Sequence, residues 1–579
     1  MKSDKRKKPR IVIVLEIILL ALLITFLAIV AMKGSAANHE LDMPEETPLP
    51  TPVPTPTPVP TPEPTPEPEK HLDFEPHPTD TTISENYISV TEIMRNGELC
   101  EDYRSEYELS FPVEEDYSAV EGITAFHGGS FRQGSALGTA EPRTKTLSVA
   151  WSARTDGLSD TDGGYWSGTG WTGQPHIVKW PEQTRRNMTA MYDWAREKKG
   201  LVEVIYPAMD GCIYFFDLDS GKPTRNKIDI GNTFKGCGAL DPRGYPILYL
   251  GAGLDSYNGK SRAYVIDLIN DKVMFEFGQN EDFAFRNWNM FDSSPLISAA
   301  TDQLIYPGEN GVLYIIHLNS SYDEAAGTLS VEPDDIVKWR YNTPRNTDGA
   351  YYIGVEASAA AINNYVFLAD NSGYLMCLDL NTLKLVWVQD ILDDTNCTPV
   401  IDVEDGHPYI YISTSFHYGL RSYGTANIPV WKIDAVTGET VWQTEYECYS
   451  EQGVSGGVQG TIALGQHDVG DRIFVSVART PGKSTGKLVA LSKETGEELW
   501  CFDTDTYGWS SPLLFYDAMG RAYLIHCISS GTISLLDAKT GIKLSELSAD
   551  GTLEASPSMY DDRLVMGHRN FGIFCIEIT

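Results

Sequence analysis

A unit of about 51 residues recurs along most of this chain of 579 residues. Each copy contains an alternating β-run, an Asp-like residue, a tight turn that often includes Thr-Gly, and a second β-run that ends near Trp. The clearest copies are Val430–Gly438, which leads to Trp442, and Leu488–Gly496, which leads to Trp500. Alternation on both sides of a glycine-containing turn is the signature of a β-hairpin. The main body is therefore predicted to be all-β.

Two recurring sequence positions each allow the units to be counted. The Asp-like position falls at Asp217, Asp267, His317, Asp379, Asp434, Ser492, Asp537 and Glu577. Each unit also opens with a short segment of one variable residue, a small residue, Ser or Thr, and a Pro-like residue. The variable positions are Thr172, Lys235, Asp292, Glu356, Asn396, Gln459, Trp509 and Glu554. Both positions give eight units, and the period is that of a four-stranded blade, so we predict an eight-bladed β-propeller over residues 146–579.

The last unit lacks a final strand, because Glu577 lies two residues before the end of the sequence. A matching strand that ends in Trp occurs far upstream, at Leu147–Trp151. We therefore predict that this N-terminal strand pairs with residues Ile573–Ile578 and closes the ring, which removes two exposed sheet edges. Residues 180–200 predict a helical insertion in the first blade, and residues 78–145 an irregular extension packed on the propeller.

The N-terminus predicts a membrane anchor. Residues 1–10 carry six Lys or Arg, and residues 11–32 are apolar apart from Glu16 and Thr25, which is long enough to span a bilayer as a helix. Positive residues stay on the cytoplasmic side. We therefore expect a single-pass protein of the cell membrane, with a cytoplasmic tail at 1–10 and an extracytoplasmic propeller. Cleavage near the small residues Gly34–Ala37 is the alternative.

Residues 33–77 predict a stalk. Proline occupies every second position from Pro48 to Pro68. Such a stretch cannot form a helix or a sheet ladder, because proline lacks an N–H and fixes φ, so it adopts extended polyproline II. The segment is expected to hold the propeller away from the membrane in the cell envelope.

The charge of the chain excludes one class of partner. Lys and Arg number 45 against 80 Asp and Glu, which gives a net charge of −35. A protein that binds nucleic acid through a basic surface is therefore excluded. The partners that fit are the membrane, through the N-terminal helix, and an envelope protein or a cell-wall polymer.

The Asp-x-x-Thr-Gly-x-x-x-Trp unit resembles the repeat of the pyrroloquinoline quinone (PQQ)-type propeller superfamily. That superfamily includes quinoprotein alcohol dehydrogenases and the propeller lipoprotein of the β-barrel assembly machinery. Gly170–Pro175 and Lys235–Pro246 are similar to segments of membrane-anchored, PQQ-like propeller proteins of clostridia. The resemblance implies that a quinoprotein would hold PQQ on the propeller axis, with calcium bound by Glu, Asn and Asp, and a disulfide between adjacent cysteines. This sequence has nine cysteines but no adjacent pair, so PQQ is not expected.

The variable positions of the opening segments should converge near the axis, since each starts the innermost strand of its blade. They supply three carboxylates, two amides, one Trp and one Lys, and Ca²⁺ takes six to eight oxygens from such groups. We therefore predict axial ligand-binding candidates at Thr172, Lys235, Asp292, Glu356, Asn396, Gln459, Trp509 and Glu554. A calcium ion would use Asp292, Glu356, Asn396 and Glu554. In the alternative interpretation, these residues hydrogen-bond neighbouring blades and line a hydrated channel.

The sequence favours a membrane-anchored propeller that acts as a binding or scaffolding module in the envelope, rather than an enzyme. Two alternatives stay open. One is a PQQ- and calcium-dependent oxidoreductase, which the missing cysteine pair disfavours. The other is a cell-wall carbohydrate-binding module that uses exposed aromatic side chains.

Overall fold

The structure is a computed structural model that describes residues 70–171, 173–347, 352–417 and 419–579. Within these residues, eight antiparallel sheets form the blades of a β-propeller, which confirms the predicted fold. The four strands of each blade follow one another in chain order from the axis outward, except in blade 8. The strands of blades 1 to 4 are, in turn, His176–Val178, Glu203–Pro207, Cys212–Asp217 and Ile228–Asp229; Ala239–Leu240, Ile247–Gly251, Ala263–Asp267 and Lys272–Phe277; Leu296–Ser298, Gln303–Pro307, Val312–His317 and Asp335–Asn342; Ala360–Ile362, Tyr365–Ala369, Tyr374–Asp379 and Lys384–Asp390.

Blades 5 to 8 continue the pattern, and every predicted Asp-like position lies at or near the end of a third strand. Their strands are Val400–Glu404, His407–Ser413, Thr425–Asp434 and Thr440–Tyr449; Ala463–Leu464, Arg472–Ala478, Gly486–Ser492 and Glu498–Thr504; Leu513–Tyr516, Ala522–Cys527, Thr532–Asp537 and Lys543–Ser548; Ser558–Tyr560, Arg563–His568, Gly572–Ile578 and Leu147–Arg154. The short strands Ser415–Phe416 and Gly456–Gly457 join blade 6, and two hairpins lie outside the blades, Gly157–Ser159 with Tyr165–Ser167 and Ser320–Asp323 with Thr328–Val331.

The antiparallel strand order defines two faces of the ring. The front face carries the loops that join successive blades and the loops between second and third strands. The rear face carries the turns between first and second strands and the Thr-Gly turns between third and fourth strands. The opening segments therefore begin at the front, near the axis.

The ring closes as predicted. Leu147–Arg154 forms the outer strand of blade 8, antiparallel to Gly572–Ile578, with Ile578 opposite Leu147 and Gly572 opposite Arg154. Three strands of this blade come from the C-terminal end of the sequence and one from far upstream. Both ends of the propeller are thus needed to complete a single sheet.

A tryptophan on the outer strand of one blade packs against the turn between the third and fourth strands of the next, which ends in Ser-Gly in blade 1 and in Thr-Gly in blades 5 to 7. The Trp151 indole N–H donates to the Leu218 carbonyl oxygen at 2.7 Å. A Cβ added to Gly221 would lie 2.5 Å from the Trp151 ring, so the indole lies against bare backbone. Three further junctions repeat this arrangement, formed by Trp387 with Ala435 and Gly438, Trp442 with Lys493 and Gly496, and Trp500 with Ala538 and Gly541.

The Asp of the repeat builds the turn on which tryptophan docks. Asp434 accepts backbone N–H bonds from Val436 at 2.8 Å and Thr437 at 3.1 Å through Oδ1, and its carbonyl accepts from Gly438. Gly438 has φ of +76°, a region that a residue with a Cβ enters at a cost. The spacing from Asp to Gly to Trp therefore encodes contacts between blades as well as a local hairpin.

The residues before the propeller contribute strands to three blades. Val90–Arg95 pairs with Asp335–Asn342 at the outer edge of blade 3, and Glu98–Cys100 completes the hairpin. Gly122–Ile123 pairs with the inner strand of blade 1, and Ala136–Leu137 runs parallel to the inner strand of blade 8. The predicted irregular extension therefore contributes strands to the propeller sheets. The described part also contains the 3₁₀ turns Ser84–Asn86, Glu114–Asp116 and His467–Val469.

Packed structure begins before the predicted boundary at residue 78. The Leu72 carbonyl accepts from the Asn363 side chain at 2.6 Å, and the Phe74 ring lies edge-on to Tyr365 at 5.4 Å. The predicted tail at 1–10, the anchor at 11–32 and residues 33–69 of the stalk lie outside the described residues. In the part of the chain that is described, no helix has the length and apolar character to cross a membrane.

The predicted helical insertion consists of two short helices in blade 1, α1 (Glu182–Asn187) and α2 (Asp193–Glu197). Met188 and Met191, between them, are buried against the blade. The apolar stripe is thus a packing surface.

The docking of tryptophan on glycine predicts a difference between two alanine substitutions. Gly221 and Gly200 both have φ of +67°, so Gly221→Ala and Gly200→Ala incur the same backbone strain of about 1–2 kcal/mol. A Cβ at Gly200 meets nothing within 4 Å, whereas one at Gly221 displaces Trp151. We expect Gly221→Ala to lower the free energy of unfolding by about 2 kcal/mol more than Gly200→Ala, measured by urea denaturation. Equal losses would contradict this role of the turn.

Candidate functional site

A chain of hydroxyl groups links the inner strands of blades 3 to 8. In blades 3 to 7, the Ser or Thr of the opening segment donates its backbone N–H to the equivalent hydroxyl of the next blade. The links are Ser294 to Ser358 at 2.8 Å, Ser358 to Thr398 at 3.0 Å, Thr398 to Thr461 at 3.3 Å, Thr461 to Ser511 at 2.9 Å, and Ser511 to Ser556 at 3.2 Å. This part of the repeat therefore holds the blades together around the axis.

The hydroxyl chain is interrupted in blades 1 and 2, where Gln174 and Cys237 occupy the equivalent positions, and the N-terminal extension fills the gap. The His127 N–H donates to Gln174 Oε1 at 3.3 Å. Arg132 is fully buried and donates to the carbonyl oxygens of Ala359 at 2.8 Å and Ser294 at 3.1 Å. The axial channel is thus occupied, behind the opening positions, by side chains of the protein itself.

We call the extension residues around His127 and Arg132 the plug. In front of it, four predicted residues form one polar cluster. Lys235 Nζ lies 3.2 Å from Asp292 Oδ2 and 4.9 Å from the centre of the Trp171 ring. Asp292, Glu356 and Asn396 line a cavity of about 20 Å³, with Phe126 among its walls. That volume holds about one water molecule.

The other predicted residues lie apart from this cavity. Glu554 Oε2 pairs with Arg569 Nη1 at 3.0 Å, and Trp509 meets Trp171 edge-on at 6.0 Å. Gln459 donates to the Gly456 carbonyl at 3.5 Å, the limit of a hydrogen bond. Thr172 lies outside the described residues. The structure therefore brings Lys235, Asp292, Glu356 and Asn396 together and leaves Glu554 in a separate ion pair.

A second set of axial residues comes from loops between second and third strands, and the sequence analysis missed it. Asn371 Nδ2 donates to Glu356 Oε1 at 3.1 Å and to Asp394 Oδ1 at 2.6 Å. Asp394 Oδ2 also lies 3.3 Å from His417 Nδ1. Glu309 occupies the position of Asn371 in the preceding blade, and Arg569 occupies it in blade 8. A signal was present for Glu309, Asn371 and Arg569, because each lies three residues before the start of a third strand. Asp394 lies instead in the loop between blades 4 and 5.

Burial and mutual repulsion perturb the acids of this cluster. Burial raises the pKa of Glu356 to about 7, and the neighbouring Asp394 and Asp292 add to that rise. Burial also raises the pKa of Asp292, and it raises that of Glu309 well above the ordinary range, where Asp292 contributes further. Burial opposes the charge on Lys235, but the three carboxyls outweigh it and raise its pKa.

The fit of calcium and PQQ follows from this geometry. Both Asp292 carboxylate oxygens and Glu309 Oε1 are buried without a hydrogen-bond partner, which is suitable chemistry for a cation. In the described part of the chain, however, no three His, Cys, Asp or Glu side chains are grouped so as to hold a metal ion. Calcium at Asp292, Glu356, Asn396 and Glu554 stays a prediction. A cofactor the size of PQQ needs a cavity of several hundred Å³, so it does not fit the space between these residues and the plug.

Aromatic side chains are concentrated on the front face around this cluster. Of seven exposed Phe, Trp and Tyr side chains in the described residues, six lie on front-face loops: Tyr165, Tyr257, Phe285, Trp288, Tyr352 and Tyr423. Arg286 lies over the rings of both Trp288, at 4.7 Å, and Tyr352, at 4.8 Å. The Trp288 N–H donates to Glu309 Oε2 at 2.8 Å, which connects this aromatic rim to the axial acids.

Comparison with known proteins finds a family model that matches less than half of the chain. A family model described as outer membrane protein assembly factor BamB matches residues 327–501 and 426–578. The beta-alanine-activating enzyme of Danio rerio is 34% identical over 102 residues, which are 17% of this chain and only 9% of that protein's length.

Solved structures that match the chain include BamB from Moraxella catarrhalis, at 16% identity and a TM-score of 0.44, with 75% of this chain and 100% of that chain covered. The quinohemoprotein alcohol dehydrogenase from Comamonas testosteroni has 13% identity and a TM-score of 0.49, with 79% of this chain and 80% of that chain covered.

The raised pKa of Glu356 predicts a pH-dependent stability difference. A carboxyl whose pKa is higher in the folded state stabilises the fold below its unfolded pKa, and this contribution is lost as the pH rises through about 7. We expect Glu356→Gln to match the wild type near pH 4 and to be more stable by about 1–3 kcal/mol at pH 8, by urea unfolding in EDTA. Glu494→Gln, on an exposed turn, is the control. A variant less stable than the wild type at pH 8 would show that the charged carboxylate stabilises the fold.

Proposed function

We propose that this chain, a PQQ-like β-propeller protein, is a binding or scaffolding module whose binding surface is the front face. The observation that carries the proposal is the distribution of exposed aromatic side chains, six of seven of which lie on front-face loops of the described structure. Interfaces are enriched in Tyr, Trp, Phe and Arg, and such residues dominate binding energy. The rear face carries exposed aliphatic side chains on turns, such as Met519 and Ile542.

The centre of the proposed surface combines apolar and charged chemistry. Trp288 and Tyr352 stack on Arg286, and the neighbouring Phe285 stacks on Arg340. Glu309 connects Trp288 to the axial acids. An aromatic cluster with a stacked arginine at its centre is typical of an energetic hot spot. The ligand is an envelope protein in this proposal.

The setting of the module is part of the same proposal. The basic tail, the apolar segment at 11–32 and the proline-rich stalk would anchor the propeller to the membrane and hold its front face in the envelope. A match to the BamB family model supports a role in protein interaction at the envelope.

A cell-wall carbohydrate is the second candidate ligand, because the same exposed rings can stack on sugars. Binding of the purified propeller to isolated cell wall, lost on Trp288→Ala with Tyr352→Ala, would favour it. The quinoprotein alternative has an independent test. We expect added PQQ and Ca²⁺ to give no dye-linked alcohol oxidation, because the axis is filled by Arg132 and its neighbours. An activity that requires both additives would replace our proposal.

Site-specific photo-crosslinking in cells tests the front face. A benzoylphenylalanine residue would replace Tyr257 or Tyr352 on the front, or Tyr192 in the helical insertion of blade 1 on the rear, and all three positions are exposed. We expect discrete adducts from the two front positions and none from Tyr192.

Alanine substitution checks the same surface by affinity. Trp288→Ala with Tyr352→Ala should weaken the captured interaction at least tenfold, since each hot-spot residue contributes more than about 1 kcal/mol. Leu499→Ala with Ile542→Ala, also exposed and apolar, is the matched control. Adducts confined to Tyr192, or equal losses in both double variants, would contradict a front-face site.

A further inference from the structure

A cavity of about 710 Å³ lies in the rear half of the ring, between the N-terminal extension and the inner strands of blades 6 and 7. Its walls include Leu464 of blade 6, Leu513–Tyr516 of blade 7, and residues of the extension such as His127. It is separate from the small axial cavity at the front, with which it shares no lining residue.

Free strand edges face this cavity. In blade 7, the Tyr516 carbonyl oxygen accepts from the Ala140 N–H at 3.1 Å, on the side of the strand that faces away from the blade. Main-chain groups two residues apart in a strand point the same way, so the N–H and carbonyl of Leu514 also face away from the blade. In blade 6, Gly465 donates to Arg472 within the blade, so Leu464 points out of it. Among the described residues, no backbone hydrogen bond reaches Leu464 or Leu514 from the cavity side.

The chain's own extension fills the equivalent edges in other blades. Gly122–Ile123 and Ala136–Leu137 form extra inner strands on blades 1 and 8. In blades 2, 4 and 5, the inner-strand amides of Leu240, Ala361 and Ile401 donate to carbonyls of the extension, at Thr124, Ser130 and Phe131. These inner edges are therefore competent to bind an extended chain, and those of blades 6 and 7 are left open.

A buried imidazole points to a ligand in the same cavity. His127 is 1% exposed, and neither ring nitrogen has a hydrogen-bond partner. Burial, with Arg132 nearby, lowers the pKa of His127 to about 3, so the ring is neutral and offers one donor and one acceptor. A peptide backbone supplies the complement to both.

The charge of the walls selects the side chains of such a ligand. The lining residues include Glu114, Glu115 and Glu121 but no Lys or Arg. Glu114 is held by the backbone N–H groups of Gly129 and Phe131, and Glu121 by Lys179, whereas Glu115 is exposed. An incoming strand with basic side chains is therefore complementary to this cavity.

We propose that this cavity binds an extended, basic peptide segment of a partner protein, which adds as a strand to the open inner edge of blade 7. The site lies on the opposite side of the plug from the front face. A result that contradicts the front-face proposal therefore does not contradict this one, and the reverse also holds. Main-chain hydrogen bonds at Leu514 supply affinity, and the glutamates select basic side chains.

The test uses the full-length protein and a defined probe, an acetylated and amidated peptide of three Lys-Val repeats. We expect binding that weakens with added salt, together with slowed amide hydrogen exchange at Leu514, whose N–H faces the cavity. The same peptide methylated at alternate backbone nitrogens, and a peptide of three Glu-Val repeats, should each bind at least tenfold more weakly.

Two substitutions at one position separate the strand edge from the side chain. Leu514→Pro removes the outward N–H and should abolish binding. An edge strand accepts proline where the N–H faces away from the sheet, so the blade should still form. Leu514→Ala keeps the N–H and should still bind the peptide. Glu115→Gln removes an acidic side chain of the cavity and should weaken binding. Glu494→Gln, on a remote turn, should leave binding unchanged. The proposal is overturned by no binding at about millimolar peptide, by equal binding to Leu514→Pro, or by equal binding of the Glu-Val peptide. Exchange protection of Leu514 before any peptide is added would also overturn it, because the chain itself would then fill the edge.

Discussion

The described structure depends on a contact that recurs at four blade junctions, between a tryptophan of one blade and the Ser-Gly or Thr-Gly turn of the next. The indole N–H is bonded to a backbone carbonyl, and its ring covers a glycine that has no side chain, as in Trp442 on Gly496. Each such contact fixes both the distance and the angle between neighbouring blades. The junction made by Trp151 joins the last blade to the first, so ring closure uses the same chemistry as the repeats.

Ring closure in turn decides what occupies the axis. Once eight inner strands face one another, their Ser and Thr groups form a continuous hydrogen-bonded chain in blades 3 to 8. Blades 1 and 2 lack the hydroxyl, and the buried Arg132 with its neighbours fills the space. The axis is thus mainly structural, and the perturbed acids Asp292, Glu309 and Glu356 form a small pocket in front of it.

The two faces of the propeller consequently offer different chemistry. The front presents aromatic rings and a stacked arginine beside buried acids, which suits side-chain recognition by a partner. The rear half of the channel presents unpaired backbone at Leu514 and acidic walls, which suits an extended strand. Because the extension residues around His127 and Arg132 separate the two faces, the two sites that we propose are independent of each other.

The sequence by itself determined the eight blades, the closing strand at Leu147–Arg154 and the convergence of Lys235, Asp292, Glu356 and Asn396. These follow from periodicity and local turn chemistry, which every copy carries. Only the tertiary structure decided that Glu554 pairs with Arg569, that Glu309 and Asn371 join the acids, and that the extension plugs the axis. Glu309, Asn371 and Arg569 share one position of the repeat, but the neighbours that each of them meets are set by the diameter and closure of the ring and by the path of the extension, which no local pattern encodes.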